Sequence, residues 1–256
     1  MFTKAIVRAP CANFASGLTS VELGAPVFEL ALQQHEAYCR ALEDCGLSLT
    51  RLEPDEHHPD STFVEDTAIL TERGGVIARP GAPSRRSETE EIERVLSHHF
   101  ERLRVIREPG TVDGGDICEA GDHFFIGVSR RTNEAGAMQL AGFLEEFGYT
   151  STLIDIRNLS NILHLKSGLA YLGGNRVLAI EEVKKLNRLS GYELIDVDKT
   201  EEYAANCLAV NDRVLVAAGF PVLQRKLQQF SYETVTLNMS EFQKMDGGLS
   251  CLSLRF

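Results

Sequence analysis

Asp113-Gly114-Gly115-Asp116-Ile117-Cys118-Glu119-Ala120-Gly121-Asp122-His123-Phe124-Phe125-Ile126-Gly127 reads as two short apolar runs joined by a tight polar turn. β-formers on both sides of a Gly/Asp turn mark a hairpin. The same pattern occurs three more times. Thr67-Ala68-Ile69-Leu70 is answered by Val76-Ile77-Ala78, Leu169-Ala170-Tyr171-Leu172 by Val177-Leu178-Ala179-Ile180, and Cys207-Leu208-Ala209-Val210 by Val214-Leu215-Val216-Ala217. Helical stretches follow several hairpins. Asn133 to Phe147 places Met138, Ala141, Leu144 and Phe147 at three-residue steps before Gly148, and Ser87 to His98 opens on a capping-box pattern of Ser87 and Glu90. Val27 to Cys45 repeats Phe28, Leu32, Tyr38, Leu42 and Cys45 before Gly46. A further apolar run comes after each helix, at 47–52, 105–106, 153–156, 194–197 and 235–237.

Four internal hairpins leave one spare strand at each end, Lys4–Arg8 and Cys251–Leu254. Pairing the two completes a fifth hairpin and closes a ring of ββαβ units. Such a ring also removes exposed sheet edges. An open α/β sheet is the alternative, and the density of hairpins speaks against it. No Pro/Ser-rich linker or charge run divides the chain, so residues 1–256 are expected to form a single catalytic domain.

The chain has 256 residues, with 26 Lys plus Arg against 37 Asp plus Glu, for a net charge of −11. That balance disfavours a nucleic-acid partner, which calls for a basic face, and suits a small cationic ligand. No apolar run approaches the ~20 residues of a membrane span, so no membrane partner is expected. Six cysteines without a CxxC pair fit a reduced, cytoplasmic chain in which most are small core residues. His57-His58 matches no standard ligand spacing, so no metal is expected.

What precedes the first strand of each hairpin carries the chemistry. These segments are Asp60-Ser61-Thr62-Phe63-Val64-Glu65-Asp66, Asp113-Gly114-Gly115-Asp116, His164-Leu165-Lys166-Ser167-Gly168, Tyr203-Ala204-Ala205-Asn206 and Asp246-Gly247-Gly248-Leu249-Ser250-Cys251. In a pseudo-symmetric ring, equivalent positions converge on the axis. Carboxylates, an imidazole and a thiol meeting there would form the nucleophile, base and orienter of covalent catalysis. The paired glycines open no helix after a strand with a Lys-Ser/Thr, so they read as points of close backbone approach and not as phosphate cradles.

These residues carry a family resemblance. Phe63-Val64-Glu65-Asp66, the run from Arg79 to Arg86, Gly110 to Asp116, Arg131-Thr132-Asn133, Leu163-His164-Leu165-Lys166, Ala204-Ala205-Asn206-Cys207 and Asp246 to Cys251 resemble dimethylarginine dimethylaminohydrolases, nearly end to end. The resemblance implies the guanidino-group-modifying superfamily and its five-bladed α/β-propeller (pentein) fold. It further implies cofactor-free hydrolysis of asymmetric dimethylarginine and monomethylarginine to citrulline and a methylamine, and a homodimer.

A guanidinium carbon is a poor electrophile, and thiolate is the strongest nucleophile a protein offers. Cys251 is assigned as nucleophile and His164 as the acid and base. Asp113 and Asp66 are expected to bind the guanidino N–H groups, with Glu65 in support. By resemblance, Asp60, Arg85 and Arg131 belong to the substrate site, Leu18 to a covering loop, and Met245 contributes its main chain. Asp113 stands where bacterial relatives often carry Glu. Lys166 stands where deiminases carry the Asp of His-x-Asp, which leaves room for N-methyl groups. Two other readings stay open: a deiminase of arginine or another small guanidine, and a non-catalytic pentein binding protein.

Overall fold

A computed structural model describes residues 1–256. Five three-stranded sheets share one plan: an antiparallel hairpin whose second strand pairs in parallel with a third. A parallel return needs a crossover, and a helix supplies it each time, from the 17-residue Phe28–Asp44 to the single turn Glu181–Lys184.

Two compact units divide these sheets. The first comprises Met1–Val64 with Val197–Phe256. In it Lys4–Arg8 runs antiparallel to Leu254–Arg255 and parallel to Ser48–Leu52, so the first and last strands do pair. Its other sheet is Leu208–Val210, Arg213–Ala217 and Glu233–Leu237. Its core gathers Phe14, Tyr38, Leu42, Phe63, Leu215 and Phe242. The second unit, Glu65–Asp196, holds three sheets. Their hairpins are Ala68–Thr71 with Gly74–Ile77, Ile117–Ala120 with His123–Val128, and Leu169–Tyr171 with Arg176–Ala179. Their parallel partners are Leu103–Val105, Thr150–Asp155 and Glu193–Asp196.

Local expectations fail where a side chain has a stronger use. The capping box at Ser87 does not form. Pro83 opens a 3-10 turn, Pro83–Glu88, that runs straight into the helix Thr89–Leu96, and Glu88 is drawn onto Arg85. In Glu134–Glu146 the buried face is Ala137, Leu140 and Leu144, while Met138 is 62% exposed. Three-residue steps drift around a 3.6-residue helix, so the mixed 3,4 spacing wins. Asn133 caps this helix by accepting from the Gly136 N–H at 2.8 Å, and Gly148, at φ +84°, ends it.

Phe28–Asp44 buries Gln34 and His35, whereas Leu32 is half-buried. Gln34 earns its place by donating to Ser240 Oγ at 2.8 Å and accepting from the Glu241 N–H at 3.0 Å. The last predicted strand also begins late. Cys251 lies on a 3-10 turn, Ser250–Leu252, ahead of Leu254–Arg255.

Candidate active site

That late start is a rule of the repeat. A short 3-10 turn leads into the first strand of every hairpin: Val64–Thr67, Gly114–Asp116, Leu165–Ser167, Lys199–Ala205 and Ser250–Leu252. Glu65 and Asp66 sit within the first. Asp113 and His164 occupy the residue before the second and third, Asn206 follows the fourth, and Cys251 lies in the fifth. A 3-10 turn is tight and brief, so it ends abruptly at a buried strand and fixes the direction of the residue beside it.

In the second unit the turns bring Asp66, Asp113 and His164 together, with their ligand atoms all within 4.8 Å of one another. His164 Nε2 lies 3.2 Å from Asp113 Oδ2. Asp113 is wholly buried, and its Oδ1 accepts from the Gly81 N–H at 2.7 Å. Asp66 accepts from the Gly115 N–H at 2.9 Å and from Arg85 Nη1 at 2.6 Å. Arg85 is itself buried and donates to Glu88 as well, at 2.9 and 3.0 Å. Glu65 accepts from Lys166 Nζ at 2.6 Å. The glycines act as expected: a Cβ on Gly115 would stand 2.9 Å from the His164 ring, and one on Gly114 would overlap the Glu65 carbonyl oxygen.

Burial penalises the charged imidazole, but Asp66, Asp116 and Asp113 outweigh it and push His164 up to about 9. The ring is thereby drawn toward its protonated form, while its side chain also takes the Ser167 main-chain N–H. Burial also works against the charge of Asp66, yet His164 and Arg85 hold that carboxyl down at about 2. Asp66, Asp113 and His164 are the residue types that could hold a divalent cation. Here both oxygens of each carboxylate already face donors. Around His164 and Arg85 stand Asp66, Asp113, Asp116 and Glu88, an excess of acid that favours an incoming cation.

The first unit carries the thiol. Cys251 is half-buried, whereas Cys11, Cys39, Cys45, Cys118 and Cys207 are buried. Asn206 Nδ2 donates toward Cys251 Sγ at 4.0 Å, while its Oδ1 accepts from the Ser250 N–H at 2.9 Å. Arg255 Nη1 donates to the carbonyls of Ser250 and Ser253 at 3.2 and 2.8 Å. A Cβ on Gly248 would stand 2.5 Å from Asn206 Cγ, so glycine lets the amide reach the turn. Tyr203 donates to the Gly247 carbonyl at 2.9 Å, and burial together with the nearby Cys251 raises its phenol.

Asp60, Leu18 and Met245 also meet in this unit. Both Asp60 oxygens accept from the Leu18 N–H, at 2.9 and 3.2 Å. Thr19 Oγ1 donates to the Lys244 carbonyl at 2.9 Å, and the Ser20 N–H reaches Asp246 Oδ2. Leu18 is 42% exposed and Met245 is buried. Arg131, in the second unit, is half-buried. Its carbonyl accepts from Thr111 Oγ1 at 2.7 Å, and its N–H donates to Ser129 Oγ at 2.9 Å. Three residues escaped the sequence reading: Asn206 as a contact of the sulfur, Asp116 as a third acid near the imidazole, and Glu88 as a partner of Arg85. The Ala-Ala-Asn and Gly-Gly-Asp strings held the signal for the first two.

The second unit thus holds a buried imidazole among carboxylates, and the first holds a half-buried thiol on the matching turn of its own repeat. The arginine deiminase family model matches residues 56–201. The chain belongs to the N(G),N(G)-dimethylarginine dimethylaminohydrolase family. It is 45% identical to the Pseudomonas aeruginosa enzyme of that name, with all of both chains covered, and 35% identical to the Streptomyces coelicolor one, covering 98% of this chain and 96% of that one. A solved structure of the Pseudomonas aeruginosa enzyme, a Cys-to-Ser variant complexed with citrulline, matches with TM-score 0.97 at 44% identity over 100% of both chains. The N-terminal domain of the cyanobacterial arginine dihydrolase ArgZ matches at 0.88 with 16% identity, covering 100% of this chain and 97% of that one, which shows a shared fold. The fold is thus the pentein fold of five ββαβ units that the resemblance implied.

Proposed function

We propose that the protein hydrolyses Nω-methylated arginines to citrulline and dimethylamine or methylamine, with Cys251 as nucleophile. The observation that carries this is the buried His164 beside Asp113 and Asp66, in a chain with full-length kinship to dimethylarginine dimethylaminohydrolases. Among those relatives, a Cys-to-Ser variant is solved with citrulline and a His-to-Gly variant as an adduct with S-methyl-L-thiocitrulline.

In this reading Asp66 and Asp113 bind guanidino N–H groups and Glu65 supports them. The Cys251 thiolate, favoured by the charge of the bound guanidinium, attacks the guanidinium carbon, forming the C–S bond while the C=N electron pair moves onto nitrogen. His164, already protonated, gives its proton to the departing amine as the C–N bond breaks, which leaves a covalent thiouronium. Water then attacks the same carbon and yields its proton to His164. As the C–S bond breaks, the remaining O–H proton leaves to solvent, where it is taken up by the released amine, and citrulline and the Cys251 thiolate are released. Arg85 and Arg131 serve the α-carboxylate, Asp60 anchors the Leu18 loop over the substrate, and the Met245 main chain meets the amino-acid end. Lys166 pairs with Glu65 and presents no second carboxylate beside His164, which favours a methylated nitrogen over a bare one. The six free thiols support a cytoplasmic setting.

The test is a product assay on asymmetric dimethylarginine beside arginine. Dimethylamine with citrulline is expected. Ammonia from arginine outpacing dimethylamine would make the protein a deiminase, and no product from either would leave a binding protein.

A further inference from the structure

Asp116 has no role in the reaction as described, yet it is completely buried, and burial drives its carboxyl up to about 6. Its surroundings are ordered in one direction. Oδ2 accepts two hydroxyl hydrogen bonds at 2.7 Å, from Ser129 Oγ and Thr132 Oγ1. Each hydroxyl oxygen in turn accepts from main chain. Ser129 Oγ takes the Arg131 N–H at 2.9 Å and the Thr132 N–H at 3.0 Å, and Thr132 Oγ1 takes the Asp113 N–H at 3.1 Å. On the other side, Asp116 Oδ1 accepts the Leu165 N–H, next to His164, at 3.0 Å. A hydroxyl has one proton. With their oxygens turned to main-chain N–H groups, both Ser129 and Thr132 direct that proton at Asp116.

We propose that Asp116 is a positioning residue that holds the main chain of Asp113, Arg131 and His164 in register. One buried carboxylate thereby sets the Asp113–His164 separation through Thr132 and Leu165, and seats Arg131 through Ser129. This rests on the reading of the reaction above. The arrangement needs acceptors only: three donors converge on two oxygens. In Asp116→Asn one oxygen becomes an NH2 donor, so at least one arm must let go. The charges facing His164 are Asp66, Asp113 and Asp116, with Arg85 behind Asp66; cutting a hydroxyl arm removes no carboxylate, but it takes from Asp116 one hydrogen bond that holds its carboxyl down.

The experiment compares Asp116→Asn, Thr132→Val and Ser129→Ala in the full chain. It uses steady-state kinetics on asymmetric dimethylarginine and NMR titration of the His164 ring. Asp116→Asn is expected to lower kcat by about 100-fold. Thr132→Val should lower kcat about 10-fold with KM nearly unchanged. Its His164 midpoint should also fall, because Asp113 drifts from Nε2 and Asp116 loses a hydrogen bond that favours its charge. Ser129→Ala should raise KM about 5-fold with kcat nearly unchanged, since it frees the Arg131 segment. If both arm variants keep kcat, KM and the His164 midpoint at wild-type values, the proposal is overturned, whether or not Asp116→Asn folds. Should wild-type protein release no dimethylamine, the functional reading fails. The His164 midpoint then still decides: both arm variants take one hydroxyl bond from Asp116, but only Thr132→Val frees the Asp113 N–H, so an equal fall in the two overturns the positioning role.

Discussion

The turn bearing His164 and the turn bearing Cys251 occupy equivalent places in the repeat but differ in what holds the reactive group. His164 is restrained at its ring as well as at its main chain: Asp113 bonds the ring, Asp66 and Asp116 add charge, Gly115 lets the ring lie close, and Asp116 takes the Leu165 N–H. Cys251 is restrained through its backbone, by the Asn206 side chain on the Ser250 N–H and by Arg255 on the Ser250 and Ser253 carbonyls, with an amide donor near its sulfur. An acid that must deliver a proton needs charges around it to set its proton affinity. A nucleophile needs its position fixed while its reactive atom stays open to attack. The structure gives each turn the restraint its chemistry requires.

The sharpest way to break this contrast is at the sulfur. Cys251→Ser should cut kcat by about 10⁴-fold or more while the protein still binds dimethylarginine, measured by product release and calorimetry. Serine turnover near wild type would remove the nucleophile from the scheme. His164→Asn comes next, with an expected loss of about 10²- to 10⁴-fold in kcat.

The two turns should also answer differently to pH. His164 has a folded pKa of about 9, above its ordinary value near 6.5, so its interactions stabilise the fold fully below that ordinary value and fade as pH rises through about 9. Asp66, held at about 2, contributes above its ordinary value near 4 and loses that contribution as pH falls through about 2. Activity and Tm should therefore both fall across the alkaline limb near pH 9. Asp66→Asn should move the limb to lower pH; a limb that stays in place would separate the imidazole from its acids.

The smallest effect belongs to the thiol turn. Gly248→Ala, which forces a Cβ against Asn206, should cost about 1–3 kcal/mol in denaturant unfolding. Asn206→Leu should raise the pH at which Cys251 is alkylated by iodoacetamide. No change in alkylation would show that the amide serves the backbone alone.

Periodicity made the repeat legible: four Gly/Asn/Asp hairpins, the apolar run after each helix and the pairing of the two chain ends all match the sheets. Residue type singled out Cys251, His164, Asp66 and Asp113, because few side chains can attack or protonate a guanidine, and the structure groups the last three. Spacing alone misled at Met138, where a three-residue step drifts off the buried face, and at Ser87, where Pro83 had already begun a turn.

The sequence by itself determined the ββαβ repeat and the residue types on its turns, since both are local properties of hydrophobic period and turn chemistry. Only the tertiary structure decided which buried groups are paired. Arg85 lies between Asp66 and Glu88, Lys166 on Glu65, and Asp116 under the main chain of 113, 131 and 165. Those pairings join residues up to 101 positions apart. Low-dielectric burial, and not sequence spacing, is what makes each charge or donor take a partner.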